Sequence, residues 1–193
     1  MTITRTDTAT SILTNLGLDT TADFPVLDAI SDSKYLRDLK INVGNVLNNS
    51  QHLTAKESRL LALSVAATEK HQLLINAFSA AAMQEGATDT EVAETLACAS
   101  LLSTNNIYYR FRHFVDKEVY TNAQAGIRMS IMMTPVLGKE FFELMSLVVS
   151  AINGCEMCVR SHEESVLKHG ASEARVIDAI RLGAVIKGLI TVL

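Results

Sequence analysis

The sequence predicts an all-α fold. Ala, Leu, Met, Glu and Lys are plentiful, and runs that alternate apolar with polar residues are scarce. Only two prolines, Pro25 and Pro135, interrupt 193 residues, so the chain between them is free to be helical. Apolar residues make up 48% of the chain, with no Trp, enough for one domain (1–193) around one substantial core.

The elements follow in order. Residues 1–24 form a weakly patterned, Thr-rich extension, and about the first twenty are expected to be loosely ordered. Leu36, Leu39, Ile41, Val43 and Val46 mark a helix that ends near Asn48-Asn49. Thr54 opens the next, because T-A-K-E places Glu57 three residues after a Thr in a capping box. The apolar run 60–67 makes that helix a buried one. A further helix spans about 72–84 and stops at Gly86; Thr88 then caps one that runs through Val92, Leu96 and Leu101. The aromatic, basic segment 107–114 reads as a short separate helix, and 127–133 as another ended by Pro135. Residues 138–152 are helical, Asn153-Gly154 interrupts, and 155–169 form a helix closed by Gly170. Ser172 caps a last helix that carries Val176, Ile177, Ile180 and Ile186 to the C-terminus.

The last third echoes an earlier part at an offset of 84 residues. Gly170-Ala171-Ser172 falls on Gly86-Ala87-Thr88, and Val176 falls on Val92. The chain therefore reads as a duplicated helical unit, about 54–103 and 138–187. Cys155 falls on His71, Cys158 on Leu74 and His162 on Phe78, so only the second copy carries thiols and the first serves as scaffold.

A net charge of -4 offers no basic patch, which argues against nucleic-acid and anionic-membrane partners. Residues 1–21 lack the apolar core of a signal peptide, and no apolar run approaches the roughly 18 residues needed to span a bilayer. A soluble, cytoplasmic protein is expected. Three cysteines make an odd, low count, unlike a secreted disulfide framework.

The chemistry concentrates in 153–162, N-G-C-E-M-C-V-R-S-H. Positions i, i+3 and i+7 share one helix face, so Cys155, Cys158 and His162 cluster. The Asn-Gly break places both thiols in the first turn of a helix, where free N–H groups and the helix dipole stabilise a thiolate. Three-residue spacing brings the sulfurs within reach of a disulfide. His162, one turn after Cys158, is placed to accept or return its proton. Glu143 stands among Phe141, Phe142, Leu144, Met145 and Leu147; buried there, it requires a partner such as an imidazole. A zinc site built from Cys155, Cys158, His162 and Glu143 remains the alternative. Haem attachment needs His directly after the second Cys, where Val159 stands. Cys98, in T-L-A-C-A-S, reads as a buried core thiol, and Met132, Met133 and Met145 as core filler. His52, His71, His113 and His169 show no partner pattern.

The run F-E-L-M-S-L-V-V-S-A-I-N-G-C-E-M-C-V-R-S-H-E (142–163) resembles the AhpD family of alkyl hydroperoxide reductases, in the carboxymuconolactone decarboxylase-like superfamily. The resemblance extends to L-K-I-N-V at 39–43, N-N-I-Y-Y-R at 105–110 and G-I-R-M-S-I at 126–131, and covers nearly everything after about residue 25. It implies an AhpD-like all-helical fold and a homo-oligomer, commonly a trimer. It implies an antioxidant peroxidase with no bound cofactor, recycled by the lipoyl group of a partner protein with dihydrolipoamide dehydrogenase, and able to reduce an AhpC-like peroxiredoxin. By residue, Cys158 matches the peroxide-attacking cysteine that becomes a sulfenic acid. Cys155 matches the resolving, proton-donating partner, and Glu143 and His162 match the proton-relay pair. Members often carry His just before the second cysteine, where this chain has Met157. Decarboxylase relatives on the same scaffold generally lack the C-x-x-C, which disfavours that alternative.

Overall fold

Six of the helices form two units of three, related by a constant shift along the chain. The computed structural model describes residues 5–193, and among them there are ten α-helices and no strand. The first unit is α4 (Ala55–Thr68), α5 (Gln72–Gln84) and α6 (Asp89–Val115). The second is α8 (Lys139–Ile152), α9 (Glu156–Lys168) and α10 (Glu173–Ile190). Both ends of α4 and α5 fall on those of α8 and α9 at an offset of 84, and α6 and α10 start in register. The remaining helices are α1 (Asp7–Asn15), α2 (Pro25–Ala29), α3 (Lys34–Asn48) and α7 (Glu118–Thr121).

The register is visible in backbone and charge. The turn after the first helix of each unit needs a left-handed residue, supplied by Lys70 (φ 58°) and by Gly154 (φ 67°). An ion pair then ties the first turn of the leading helix to the first turn of the third. In one unit it is Lys56–Glu91 and in the other Glu140–Arg175, both at 2.8 Å, with the charges exchanged. Arg175 also holds Glu57 and the carbonyl of His52, both at 2.6 Å, so one guanidinium joins the two units. The two carboxylates raise its pKa further against the opposing pull of burial. Arg175→Met strands both carboxylates and is expected to cost about 3 kcal/mol, read as a drop in Tm of roughly 9 °C. An unchanged Tm contradicts this.

The core lies where α4 and α8 meet. Each is buried around most of its circumference, Leu60–Ala66 in α4 and Phe141–Ser150 in α8. A helix apolar on all sides belongs at the centre, and α3, α5, α6, α9 and α10 wrap around the pair. None of the described helices is long and apolar enough to cross a membrane.

Three expectations are corrected. The start of the chain is ordered over its described part; residues 1–4 lie outside the described residues. Ala9, Ile12, Leu13 and Leu16 follow helical spacing and are buried. Thr6 caps α1, and Arg5 pairs with Asp28 at 2.6 Å while holding the carbonyls of Thr20 and Ala22. The intervening threonines mask this pattern in the sequence. Secondly, 107–114 is no separate helix but the end of the 27-residue α6. The polar run Ser103-Thr104-Asn105-Asn106 reads as a break. Yet the Ser103 and Thr104 hydroxyls bond the carbonyls one turn back, so the helix continues. Thirdly, 127–133 holds only a short 3-10 turn, Ser130–Met132. Lys139 donates to the carbonyl of Met132 (2.7 Å), and just beyond the segment buried Glu94 accepts from the N–H groups of Val136 and Leu137. Ile41 and Ile177 face outward, as does Met133, expected as core filler.

Candidate active site

The two cysteines sit where one helix stops and the next begins. α8 ends at Ile152, Asn153 caps it, and left-handed Gly154 turns the chain. Cys155 is then the N-cap of α9 and Cys158 its third residue. Their sulfurs are bonded in a disulfide, with the Cα atoms 5.3 Å apart. Cys155 is 0% exposed and Cys158 is 7% exposed. The carbonyl of Ser150 accepts from the Cys155 N–H, so the turn is tied to the helix it leaves.

The face of α6 opposite this turn holds it in place. Asn106 donates to the Ser150 hydroxyl (2.9 Å) and accepts from the side-chain amide of Asn153 (2.8 Å). Arg110 donates to the Asn153 carbonyl (2.6 Å), one of the orphan acceptors at the end of α8. His113 meets Glu156 at 3.3 Å, and Glu156 also pairs with Arg160. The i, i+4, i+7 spacing of Asn106, Arg110 and His113 was the available signal, obscured because the segment read as a separate aromatic helix.

The structure brings His162 and Glu143 together on the other side. His162, one turn after Cys158, places Nδ1 2.6 Å from Oε2 of Glu143. Oε1 of Glu143 pairs with Lys139 at 2.8 Å. Burial alone raises the pKa of Glu143, but hydrogen bonds from His162 and Lys139 outweigh it and hold the carboxyl at about 2. An ionised Glu143 accepts a proton-bearing Nδ1, which leaves Nε2 of His162 free to take or give a proton. Lys139 was missed by sequence reasoning; it links Glu143 to the backbone of Met132 and so to the 130–132 turn.

A cavity of about 340 Å³ opens beside this pair. Tyr109, Met129, Met132 and Met157 give it an apolar wall, Asn105 and Ser161 add polar groups, and Cys158 and His162 provide the reactive ones. Cys155 does not reach it. Met157 contributes a thioether to this wall, and Met132 likewise serves the cavity rather than the interior. No three His, Cys, Asp or Glu side chains among the described residues converge as metal ligands would. The sulfurs are taken up by each other and His162 Nδ1 by Glu143.

The first unit shows what stands at the matching positions. At the position of Cys155, His71 caps α5 by accepting from the Leu74 N–H. Leu74 and Phe78, at the positions of Cys158 and His162, are core residues. Cys98 is buried as expected; burial pushes its pKa up to about 12, so it stays protonated and inert. Of the histidines without a foreseen partner, His71 is thus a cap and His113 a partner of Glu156.

Residues 120–193 match the carboxymuconolactone decarboxylase family. The chain is 41% identical over 162 residues to the alkyl hydroperoxide reductase AhpD of Anaeromyxobacter dehalogenans (strain 2CP-C), covering 83% of this chain and 86% of that one. It is 40% identical over 159 residues to the alkyl hydroperoxide reductase AhpD of Coxiella burnetii (strain RSA 493 / Nine Mile phase I), covering 80% and 88%.

Proposed function

The chain belongs to the AhpD family, in the carboxymuconolactone decarboxylase superfamily, and from that membership we propose that it is a dithiol-dependent alkyl hydroperoxide reductase. The observation that carries the residue assignment is an asymmetry: Cys158 lines the cavity with His162, while Cys155 is closed off behind it. A substrate entering the cavity meets Cys158 first.

In the reduced protein His162 takes the Cys158 proton on Nε2, with Glu143 stabilising the imidazolium. The Cys158 thiolate attacks the terminal oxygen of the hydroperoxide. An S–O bond forms, the O–O bond breaks, and the alkoxide leaves with the proton from His162 as an alcohol. Cys158 is now a sulfenic acid. The Cys155 thiol condenses with it, releasing water and forming the Cys155–Cys158 disulfide. An external dithiol, a dihydrolipoyl group on a partner protein, returns two electrons and two protons by thiol–disulfide exchange. The same dithiol serves to reduce the disulfide of an AhpC-like peroxiredoxin. No cofactor needs to be bound.

Self-association into a trimer is part of the proposal. Ile107, Phe111, Phe114, Val119 and Tyr120 form an exposed apolar stretch along the end of α6 and on α7, which supports burial against another copy. The reading places the protein in the cytoplasm, whose reducing poise suits a cycling dithiol.

A lipoamide-coupled assay tests the function, run with dihydrolipoamide dehydrogenase, an organic hydroperoxide, and with or without a peroxiredoxin. Hydroperoxide-dependent turnover is expected. In parallel, native reduced protein should titrate two thiols more than the oxidised form, with Cys98 reacting only after denaturation. Stoichiometric zinc on the purified protein, together with no turnover, overturns the proposal in favour of a structural metal site.

A further inference from the structure

We propose that the side-chain carbonyl of Asn105 is the substrate-binding acceptor of the cavity, taking a hydrogen bond from the terminal O–H of the hydroperoxide. This rests on the peroxidase reading and adds to it the group that orients the reacting oxygen.

Asn105 lies in the middle of α6 and is 4% exposed. Its amide nitrogen is occupied, donating to the Met129 sulfur at 3.0 Å. Its carbonyl oxygen is buried without any partner, a condition no other side-chain N or O atom shows among the described residues. A buried acceptor left unmade is expensive, and native proteins rarely keep one without a use. This one belongs to a side chain lining the same cavity as Cys158 and His162. The neighbouring Asn106 has the same chemistry, but both ends of its amide are paired with Ser150 and Asn153. The two adjacent asparagines therefore divide the work: Asn106 builds the turn, and Asn105 leaves one acceptor open.

The open acceptor fits one end of the substrate. A hydroperoxide R–O–O–H carries a single donor, on the oxygen that the thiolate attacks, next to an apolar R group. The side chain that carries this unpaired acceptor lines the cavity beside a wall of Met129, Met132, Met157 and Tyr109. Bound by its O–H to Asn105, the terminal oxygen is held for Cys158. Attack forms the S–O bond, breaks O–O and sends the alkoxide off with the proton from His162. The O–H that Asn105 holds stays with the oxygen transferred, becoming the O–H of the Cys158 sulfenic acid. The same hydrogen bond thus serves substrate and product. Fixing the Met129 sulfur, Asn105 also keeps the apolar wall in place.

The test uses the Cys155→Ser background, in which Cys158 sulfenic acid accumulates in a single turnover. Asn105→Leu keeps the branching at Cγ and removes the acceptor, together with the amide donor to Met129. With cumene hydroperoxide the second-order rate of sulfenic-acid formation should fall about tenfold, what one neutral hydrogen bond is worth. Alkylation of Cys158 by iodoacetamide, which needs the thiolate but no O–H acceptor, should be unchanged. Tm should hold or rise, because a buried orphan acceptor is gone. Asn105→Asp serves as a second variant: it keeps an acceptor oxygen, so it should slow peroxide no more than iodoacetamide. Equal losses by Asn105→Leu towards both reagents with a lowered Tm overturn the proposal, since Asn105 then acts on structure through a buried water. Unchanged peroxide rates in that variant overturn it as well, with the peroxidase reading intact. If the Asn105-containing parent forms no sulfenic acid while alkylating normally, both readings fall together.

Discussion

Cys158→Ser is expected to abolish hydroperoxide reduction, lowering turnover by at least about 10³-fold. A serine hydroxyl is not ionised at this position, and no other thiol lines the cavity. Cys98 cannot substitute, being buried with a pKa of about 12. Cys155→Ser behaves differently. Its first turnover with peroxide should run near the wild-type rate and stop at a Cys158 sulfenic acid, detectable by mass or by a dimedone adduct. Steady-state turnover with a dihydrolipoyl donor should then be lost, because no disulfide forms between the two positions. The opposite outcome, sulfenic acid on Cys155 in a Cys158→Ser protein, overturns the assignment of roles. Serine is small enough that neither change should disturb the 150–158 turn, whose hydrogen bonds come from Asn106, Arg110 and the Ser150 carbonyl.

Glu143→Gln carries the second large effect. The carboxylate is buried between His162 at 2.6 Å and Lys139 at 2.8 Å, and is held at about 2 against an ordinary 4.5. Without it the imidazolium that forms when Cys158 ionises loses its counter-charge, and His162 loses the fixed tautomer. Peroxide reduction should fall about 10²-fold. Lys139 is left facing a neutral amide, so stability falls too. The pH dependence follows from the depressed pKa: the stability Glu143 contributes is complete above about pH 4.5 and is lost as pH falls through about 2. The Tm gap between wild type and Glu143→Gln should therefore be widest at neutral pH and narrow between about 4.5 and 2. A gap independent of pH across that window, or a variant with full activity, contradicts the Glu143–His162 arrangement.

Much of the site was legible in the sequence because it is local. Cys155, Cys158 and His162 lie within about two turns of one helix, and helix geometry alone puts them on one face. Glu143 was legible at one remove, as a carboxylate in an apolar run that needed a partner. The 84-residue echo was legible because glycines and caps recur at the same spacing, and helix bounds follow such punctuation closely. Lys139, Asn105, Asn106 and Arg110 were not legible as site residues. Each acts across a tertiary contact, and a polar residue in a helix looks the same whether it meets water or a buried carbonyl. The 127–133 segment was misread for the same reason. Its spacing suits a helix, but Lys139 holds the Met132 carbonyl in an irregular path, and Glu94 fixes the backbone just after it at Val136 and Leu137.

The opening of the chain shows the reverse error. Its threonines looked like a solvated tail, yet Ala9, Ile12, Leu13 and Leu16 needed only a surface to bury against, which the rest of the fold supplies. The helical class, the recurring helix bounds and the dithiol at a helix N-terminus could be read ahead of the structure, since caps, breaks and faces depend on spacings of a few residues. Which sulfur faces the cavity, what holds Glu143 ionised, and that the Asn105 carbonyl is left without a partner follow from tertiary packing. Those outcomes depend on burial and on pairings such as Glu143–His162 and Asn105–Met129, 19 and 24 positions apart, where local periodicity carries no information.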